Sequence, residues 1–416
     1  MNELLQQIFD FNAIYPAELV EMKFEFMREN LFRFFRGTCH LFFWNWSRLP
    51  DQIIAPLVWI CGDLHLENFG SYKGENRMVY FDLNDFDETV LAPVTWELGR
   101  TVCSILIASE ALEISRKQAM ELCKKYLDSY TKVLSDGKPY YIDARIARGI
   151  VGDFLKTVEK RKYKKLLRTK TGKSEKISCL DLDHPKHSEI PKPLKRRLID
   201  FVNTWIQTRR DSPDNYRVID AVFRVAGTGS IGLKRYAFLL KKKNKKEKYL
   251  LVDMKQVRPS SLTPFLKHEQ PKFENDAIKV AKLQRLMQNV PPALISEVEF
   301  AGDLYIIQEM QCTKDYIDFS LLKNRPDDML DVISDMGMLT ASAHLRSSGR
   351  FGAGPADDLI CFARQTGWHL QLIEQSQLMA GLYKQLYHQF VKQTSKKRKF
   401  DNSGMDDKVS IPGSRC

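Results

Sequence analysis

Two polar, acidic loops that each follow an apolar segment constrain this chain more than any other feature of its sequence. The loops are Cys61-Gly-Asp-Leu-His-Leu-Glu-Asn-Phe-Gly70 and Val79-Tyr-Phe-Asp-Leu-Asn-Asp-Phe-Asp-Glu88. The apolar residues of Pro56–Cys61 and Met78–Phe81 predict a buried strand before each loop. Phosphoryl transfer needs such loops, because one carboxylate orients the acceptor hydroxyl while Asn and Asp oxygens hold magnesium on the phosphates. A pair of acidic surface turns is the alternative that the residues leave open.

A glycine-rich motif follows much later, in Arg224-Val-Ala-Gly-Thr-Gly-Ser-Ile-Gly-Leu-Lys-Arg-Tyr236. A dinucleotide-binding fold would need a helix after the third glycine. The continuation Arg235–Leu240 instead predicts a strand, so the glycines would form the turn of a hairpin. Kinases cover the phosphates of their nucleotide with such a hairpin. The residues predicted to bind a nucleotide there are Gly227, Thr228, Gly229, Ser230 and Gly232.

Lys255 lies in the next strand-like segment, Leu250-Leu-Val-Asp-Met-Lys-Gln-Val257. In a kinase-like fold, a lysine on the strand after the glycine hairpin contacts the α- and β-phosphates and pairs with a glutamate. We therefore predict that Lys255 binds the nucleotide. Its alternative is a lysine at the edge of a strand. Glu269 and Glu274 are both candidates for the glutamate partner.

Both acidic loops resemble those of known enzymes. The segment Gly62–Gly70 resembles the HGDxHxxN loop of aminoglycoside-phosphotransferase-like kinases, and Phe81–Glu88 resembles their metal-binding IDF segment. A closer resemblance, over about residues 20–350, is to an uncharacterised bacterial domain-of-unknown-function family. It rests on the segments 36–42, 61–70, 81–88, 93–105 and 224–240. The resemblance implies ATP and Mg²⁺ as cofactors, Asp63 as the catalytic base and Asn68 as a magnesium ligand.

The second magnesium ligand has two candidates under this resemblance. Asp82 follows Asn68 at nearly the interval found in kinases. Asp85 opens the triplet Asp-Phe-Asp, which is similar to the Asp-Phe-Gly triplet of kinases. We favour Asp82 and keep Asp85 as the alternative.

The order of the motifs implies a circular permutation, because the catalytic and metal loops here precede the glycine hairpin. Domain termini usually lie at the surface and close together, which makes such a rearrangement acceptable. We expect an α+β, two-lobed, protein-kinase-like fold with a large helical lobe and a small antiparallel-sheet lobe. The helical stretch Met329–Arg346 would stand where a kinase helix leads into the catalytic loop. The predicted parts are 1–135 (catalytic and metal loops, larger lobe), 136–215 (basic connector), 216–312 (small nucleotide-binding lobe), 313–395 (remainder of the larger lobe) and 396–416 (basic disordered tail).

Charge and cysteine content exclude several classes of protein. The 416 residues carry 64 Lys and Arg against 52 Asp and Glu, a formal net charge of +12. No apolar run reaches the roughly 20 residues of a membrane span, and the N-terminus lacks the pattern of a secretory signal. The eight cysteines form no CxxC pair, which favours reduced cytosolic thiols over disulfides or zinc. We therefore expect a bacterial cytoplasmic protein without a membrane span.

Basic runs at 156–176 and 396–399 raise the question of nucleic acid, whereas the run at 241–248 is predicted to be a solvated hairpin tip. Neither of the first two has the interleaved aromatic residues of a base-stacking surface, and no helix-turn-helix or zinc pattern is present. We therefore do not expect nucleic acid as a partner. Inside a eukaryotic host, the run at 396–399 would also fit a nuclear import signal.

These motifs together predict an ATP- and Mg²⁺-dependent phosphotransferase that acts on a hydroxyl-bearing small molecule or protein. Two alternatives remain. One is a catalytically inactive, kinase-like module that binds a nucleotide or a phosphorylated ligand, and the other is a transferase of AMP instead of phosphate that would use the same residues. Cys61, where the resembling enzymes have His, and the unplaced glutamate favour the inactive module.

Overall fold

Helices and small antiparallel sheets build the described part of the chain, which confirms the predicted α+β class. The computed structural model describes residues 3–50, 52–160, 167–171, 179–209, 215–243, 248–310 and 316–401, with side chains up to residue 395. The helices are α1 (Glu3–Asn12), α2 (Ala17–Glu29), α3 (Leu31–Gly37), α4 (Cys39–Trp46), α5 (Val94–Ala111), α6 (Arg116–Asp136), α7 (Gly149–Lys160), α8 (Lys192–Thr208), α9 (Asp276–Met287), α10 (Pro326–Ser347), α11 (Ala356–Ala363) and α12 (Trp368–Asp401). The strands are β1 (Leu57–Ile60), β2 (Phe69–Lys73), β3 (Val79–Leu83), β4 (Val90–Pro93), β5 (Ile142–Asp143), β6 (His187–Ser188), β7 (Tyr216–Arg224), β8 (Arg235–Lys242), β9 (Tyr249–Gln256), β10 (Ser296–Phe300) and β11 (Asp303–Glu309).

The largest sheet is antiparallel and has the strand order β10-β11-β9-β8-β7-β6. The glycine motif connects β7 to β8, as the sequence predicts. Lys255 lies on the next strand, β9, opposite Arg235 on one side and Ile306 on the other. The hairpin and the lysine are therefore brought together by direct strand pairing.

Two smaller sheets hold the acidic loops side by side. The first loop connects β1 to β2, and the second lies between β3 and β4. Strand β1 pairs with β4, while β2, β3 and β5 form the other sheet. Phe69, just after the first loop, is paired with Leu83, just before the second. The Asn84 N–H also donates to the Asn68 carbonyl at 3.1 Å, so the end of the first loop lies next to the start of the second.

Helices α6 and α10 form the most extensive helix pair of the core. Helix α6 begins with a capping box between Ser115 and Gln118 and ends at Gly137, whose φ of 64° favours glycine. Helix α10 approaches α6 so closely that a Cβ atom at Gly337 would stand 2.3 Å from the Tyr126 carbonyl oxygen. A glycine at this point therefore permits the contact between the two backbones.

The segment after α10 runs beside the strand that leads into the first acidic loop. The Gly354 N–H donates to the Leu57 carbonyl at 2.8 Å, and Trp59 Nε1 donates to the Arg350 carbonyl at 3.0 Å. Both Leu57 and Trp59 belong to β1. The end of the predicted helical stretch 329–346 thus lies next to β1, although it is far away along the chain.

The predicted connector 136–215 contains two helices in its described part. Helix α7 packs against α10 and β3, and α8 packs against β7. Leu198, Val202 and Ile206 of α8 are buried against the six-stranded sheet, at the spacing that places them on one helix face. Helix α8 therefore belongs to the sheet unit. Most of the basic run 156–176 lies outside the described residues.

Helix α12 continues to Asp401, past residue 396, where we predict a disordered tail to begin. Residues 402–416, and 244–247 of the basic hairpin between β8 and β9, lie outside the described residues. Within the ranges that the structure describes, no helix has both the length and the apolar character of a membrane span.

Gly337→Ala should destabilise the fold, because the added methyl group would meet the Tyr126 carbonyl oxygen. We expect the free energy of unfolding to fall by about 1–3 kcal/mol, as in other overpacked cores, in urea unfolding followed by circular dichroism. The matched control is Gly381→Ala on α12, where no atom lies within 4 Å of the added Cβ. It should be neutral or gain up to about 1 kcal/mol from helix propensity. Equal stabilities of the two variants would contradict the close contact between α6 and α10.

Candidate active site

Asp63, the predicted catalytic base, is held in place by a buried arginine. Arg100 of α5 donates two hydrogen bonds to Asp63 Oδ1, from Nε at 3.1 Å and from Nη2 at 2.7 Å. The same guanidinium donates to the Phe35 carbonyl at 2.9 Å. Burial raises the pKa of Asp63, although Arg100 opposes that shift. A carboxylate with one oxygen fixed and a raised pKa suits a group that accepts a proton.

A buried hydrogen-bond chain supports the backbone of the same loop. Glu97 Oε1 accepts a hydrogen bond from the Gly62 N–H at 3.0 Å, and Glu97 Oε2 lies 2.9 Å from His344 Nε2. His344 Nδ1 lies 2.9 Å from the Tyr130 hydroxyl. The side chains of Glu97, His344 and Tyr130 are fully buried. This hydrogen-bond chain connects α5, α10 and α6 to the Gly62 backbone and so fixes the position of the first acidic loop relative to the core.

Asn68 and Arg36 complete the first loop. Asn68 Nδ2 donates to the Asp63 carbonyl at 2.7 Å, so Oδ1 is the Asn68 atom that can act as a metal ligand. Arg36 of α3 forms an ion pair with Glu67. His65 Nδ1 accepts from the Glu67 N–H at 3.2 Å, and burial lowers the pKa of His65 well below its usual range. A neutral His65 therefore shapes the loop.

The second acidic loop meets the lysine of β9. Lys255 Nζ lies 3.5 Å from Asp85 Oδ1 and forms an ion pair with Asp87. Burial would raise the pKa of Asp85, but Lys255 keeps it below its usual value. Burial and the adjacent Asp85 raise the pKa of Asp87 to about 6. Glu269 and Glu274 are both exposed, so the aspartates of the loop, rather than either glutamate, face Lys255.

Asp82 lies apart from this cluster, within β3, and is only 2% exposed. Asp82 Oδ1 accepts from the Leu83 N–H at 2.9 Å, and Oδ2 lies 3.8 Å from Arg346. Burial raises the pKa of Asp82 to about 6. Of the two candidates for the second magnesium ligand, Asp85 borders the cavities described below and Asp82 does not.

The glycine hairpin reaches down onto the first loop. Gly227 has a φ of 75°, in the region that favours glycine. A Cβ atom at Gly229 would stand 3.3 Å from the Arg36 carbonyl oxygen and 3.7 Å from Asp63 Oδ2. Gly229 therefore leaves room for the hairpin beside the predicted base. Thr228 is buried.

At the far side of the hairpin, Gly232 packs against Tyr15 in the turn between α1 and α2. It has a φ of 112°, and a Cβ atom there would stand 2.6 Å from the Tyr15 ring. Both the backbone angle and the ring require glycine at this position. The turn between α1 and α2 thus contacts the hairpin directly.

Two cavities meet at the second acidic loop. The first, which we call the loop cavity, has a volume of about 260 Å³. The second, the sheet cavity, has a volume of about 190 Å³. Asp85 and Asp87 border both. The loop cavity is also lined by Asp63, Asn68, Gly227, Gly229 and Ser230, and the sheet cavity by Arg224, Arg235, Asp253, Lys255 and Gln284.

The donor set fits magnesium held jointly with a substrate. Within the described ranges, no group of three or more His, Cys, Asp or Glu side chains is arranged to hold a metal by itself. Mg²⁺ is usually bound by one or two carboxylates together with phosphates and waters. Asn68 and Asp85 supply oxygen donors of that kind from two adjacent loops, and Gly229 provides the space that a side chain would fill.

The region that carries these cavities matches a known bacterial family. The profile described as "Uncharacterized protein conserved in bacteria (DUF2252)" matches residues 16–393. The chain belongs to the DUF2252 family. The match confirms the resemblance to an uncharacterised bacterial family, and it spans both acidic loops, the glycine hairpin and Lys255. No curated protein and no solved structure matches the chain significantly.

The sequence motifs of this DUF2252 chain single out neither Arg100, which holds Asp63, nor Lys23 and His40, which line the loop cavity. Arg100 had a usable signal, because it follows Glu97 by three residues in a mostly apolar helix and so shares its face. Lys23 and His40 had no such signal, since their burial depends on how α1 to α4 pack against one another.

Glu88 should make the stability of the DUF2252 fold depend on pH. Glu88 Oε2 accepts from Ser260 Oγ at 2.9 Å and from the Ser261 N–H at 2.7 Å. Burial nevertheless raises the pKa of Glu88 from 4.5 to about 7. Between these values the folded protein holds a proton that the unfolded chain has lost. This contribution to stability is therefore complete below pH 4.5 and disappears as the pH rises through 7.

Glu88→Gln should remove this pH dependence. Between about pH 5 and pH 8 the wild type should lose about 1 kcal/mol of unfolding free energy that the variant keeps. The loss is smaller than the full pKa shift implies, because residual solvent contact screens the charge. Thermal unfolding at both pH values measures the difference. The exposed Glu121→Gln, on α6, is the matched control and should show no such gain. A pH-independent difference between wild type and Glu88→Gln would contradict the raised pKa.

Proposed function

We propose that this protein is an ATP- and Mg²⁺-dependent phosphotransferase with a circularly permuted, two-lobed, protein-kinase-like fold. One observation carries the proposal: Asp63 and Asn68 share a cavity with Gly229, and Asp85 of that cavity lies 3.5 Å from Lys255. These residues are spread over nearly 200 positions of the chain. Surface turns would not bring a carboxylate, an amide, a glycine hairpin and a strand lysine together, whereas phosphoryl transfer requires all of them.

The permuted order is supported by the contacts around β1. The predicted helical stretch 329–346 lies within α10, and the segment that follows it is hydrogen-bonded to Leu57 and Trp59 of β1. A helix that precedes the catalytic loop in an unpermuted kinase-like chain would be followed by this strand. In this chain the segment after α10 is likewise in contact with β1, but β1 comes before α10 in the sequence.

Each residue has a distinct role in the proposed reaction. Asp63 Oδ2 accepts the proton of the acceptor hydroxyl as its oxygen bonds to the γ-phosphorus of ATP and ADP leaves. The Gly227–Gly232 hairpin and Lys255 would hold the phosphates, and Asn68 and Asp85 would hold magnesium, which when bound would supply charge neutralisation on the phosphates. Most of the acceleration would come from positioning and from fixed charges rather than from a covalent intermediate.

A non-catalytic nucleotide-binding module is the second candidate, and the surroundings of Lys255 favour it. In active kinases this lysine pairs with a glutamate of a helix. In this chain the α9 residues that border the sheet cavity are Val280 and Gln284, neither of them a glutamate, and Lys255 pairs with Asp85 and Asp87. In a phosphotransferase, Asp85 and Asp87 would bind magnesium instead of Lys255. In a non-catalytic module, they would stay paired with Lys255.

Asp85→Asn should abolish the magnesium-dependent part of ATP binding, because it removes a charged oxygen ligand. We expect magnesium to strengthen ATP binding to the wild type, and the variant to bind ATP about tenfold or more weakly in magnesium. Calorimetric titration with and without magnesium measures both. Asp82→Asn, buried in β3, is the matched control and should keep the magnesium response. The reverse pattern would transfer the role to Asp82, and a wild type without any magnesium response would refute the proposal.

Asp63→Asn should separate binding from catalysis. It removes the proton acceptor but also the charge that compensates the buried Arg100, so the variant should unfold at a lower temperature than the wild type. In the folded variant, ATP and magnesium should still bind, while turnover should fall about 10²–10⁴-fold. Transfer of label from γ-labelled ATP to the protein, to water or to a panel of hydroxyl compounds measures turnover. Label transferred from α-labelled ATP instead would identify AMP transfer. Unchanged turnover in Asp63→Asn would exclude Asp63 as the base.

A further inference from the structure

Three nitrogen-bearing side chains from three N-terminal helices converge on the loop cavity. Lys23 comes from α2, Arg36 from α3 and His40 from α4, and all of them line the cavity that contains Asp63. None belongs to the acidic loops or to the glycine hairpin. The N-terminal helices therefore supply a wall with its own chemistry.

Lys23 is the most unusual of the three, because it is only 1% exposed. Its nearest acceptor is the Gly229 carbonyl, at 3.5 Å from Nζ. No carboxylate of the described residues forms an ion pair with it within 4.0 Å. The aromatic rings of Phe11 and Tyr15 lie 5.7 and 6.0 Å from Nζ. An ammonium group with three donors is thus held in the wall of the cavity with one long hydrogen bond.

Arg36 and His40 add two further buried atoms without hydrogen-bond partners among the described residues, Arg36 Nε and His40 Nε2. Glu67 anchors the Arg36 guanidinium by an ion pair, and the His40 ring is stacked on Phe11 with centroids 3.7 Å apart. Buried polar atoms are normally satisfied, so unsatisfied ones beside a cavity point to a ligand.

The carboxylates of the same cavity already have partners of their own. Arg100 holds Asp63, and Ser260 and Ser261 donate to Glu88. Asp85 and Asp87 face Lys255. Lys23 and Arg36 therefore leave hydrogen-bond donors and positive charge for a ligand on the helical wall, which suit an anion. The neutral His40 adds a donor at Nε2 in the tautomer that carries the proton there.

We propose that Lys23, Arg36 and His40 form a subsite for a phosphate group of the acceptor, which would be a small phosphorylated molecule with a free hydroxyl. The identity of this ligand as the acceptor rests on the proposed function. Donors from three helices match the three terminal oxygens of a phosphate, and lysine binds phosphate as a point charge. A cavity of about 260 Å³ is at the small end for ligand sites, which favours a small molecule over a protein.

Inorganic phosphate is the probe for this subsite, titrated by calorimetry in the presence of saturating ADP and magnesium. The variant is Lys23→Met, and the matched control is Lys132→Met, an exposed lysine of α6. We expect phosphate to bind the wild type and the control alike, and Lys23→Met about tenfold or more weakly. Lys23→Met should also unfold at the same or a higher temperature than the wild type, because it removes a buried charge without an ion-pair partner.

Three results would overturn the subsite. They are no phosphate binding to the wild type, equal binding to wild type and Lys23→Met, or a loss in Lys23→Met of affinity for ATP but not for ADP, which would assign Lys23 to the γ-phosphate. Lys255→Gln separates the two proposals, since it should weaken ATP binding and leave the phosphate response. Phosphate binding that depends on Lys23 in a protein that does not bind ATP would keep the anion site and refute the phosphotransferase.

Discussion

The buried ion pair between Asp63 and Arg100 sets the geometry on which the rest of the cleft depends. Arg100 is fully buried, and desolvating a guanidinium costs several kcal/mol, by order of magnitude, unless charge and hydrogen bonds compensate it. Asp63 supplies the charge, the Phe35 carbonyl accepts a further hydrogen bond, and the rings of Phe35 and Phe42 lie 3.5 and 4.9 Å from the guanidinium carbon. Since either partner alone would be an uncompensated buried charge, the loop is tied firmly to α3, α4 and α5.

The N-terminal helices connect this fixed loop to the glycine hairpin. Tyr15 packs on Gly232, Lys23 reaches the Gly229 carbonyl, and the Arg36 carbonyl lies beside Gly229. Any ligand that draws Lys23 toward itself would therefore also act on the glycine hairpin, which we propose binds the phosphates. In the proposed reaction, the binding of the acceptor phosphate by Lys23 and the binding of the nucleotide by the glycine hairpin would be linked through the backbone at Gly229.

Local patterns predicted the loops, the hairpin and Lys255, because an apolar strand that ends in acidic residues or glycines leaves a clear signal. Spacing alone favoured Asp82 as a ligand, but β3 ends at Leu83, so Asp82 stays inside the sheet while Asp85 lies beyond it. Lys23 directly precedes the buried Phe24 on α2, and only the packing of α1 and the hairpin decides that position 23 is buried too. The strands β5 and β6 have two residues each, too few for a periodic pattern.

The long-range contacts of the first loop also determine when the site can form during synthesis. Its supports include His344, which faces Glu97, and Tyr383, whose hydroxyl donates to the Thr38 carbonyl at 2.9 Å. At translation rates of about 5–20 residues per second, these supports leave the ribosome roughly 15–60 s after the loop. During that interval Glu97 Oε2 lacks His344, and contacts between residues so far apart in the sequence form slowly. The order in which the chain joins its elements thus sets how long the first acidic loop waits for His344 and Tyr383 during synthesis, although it does not change the folded loop cavity.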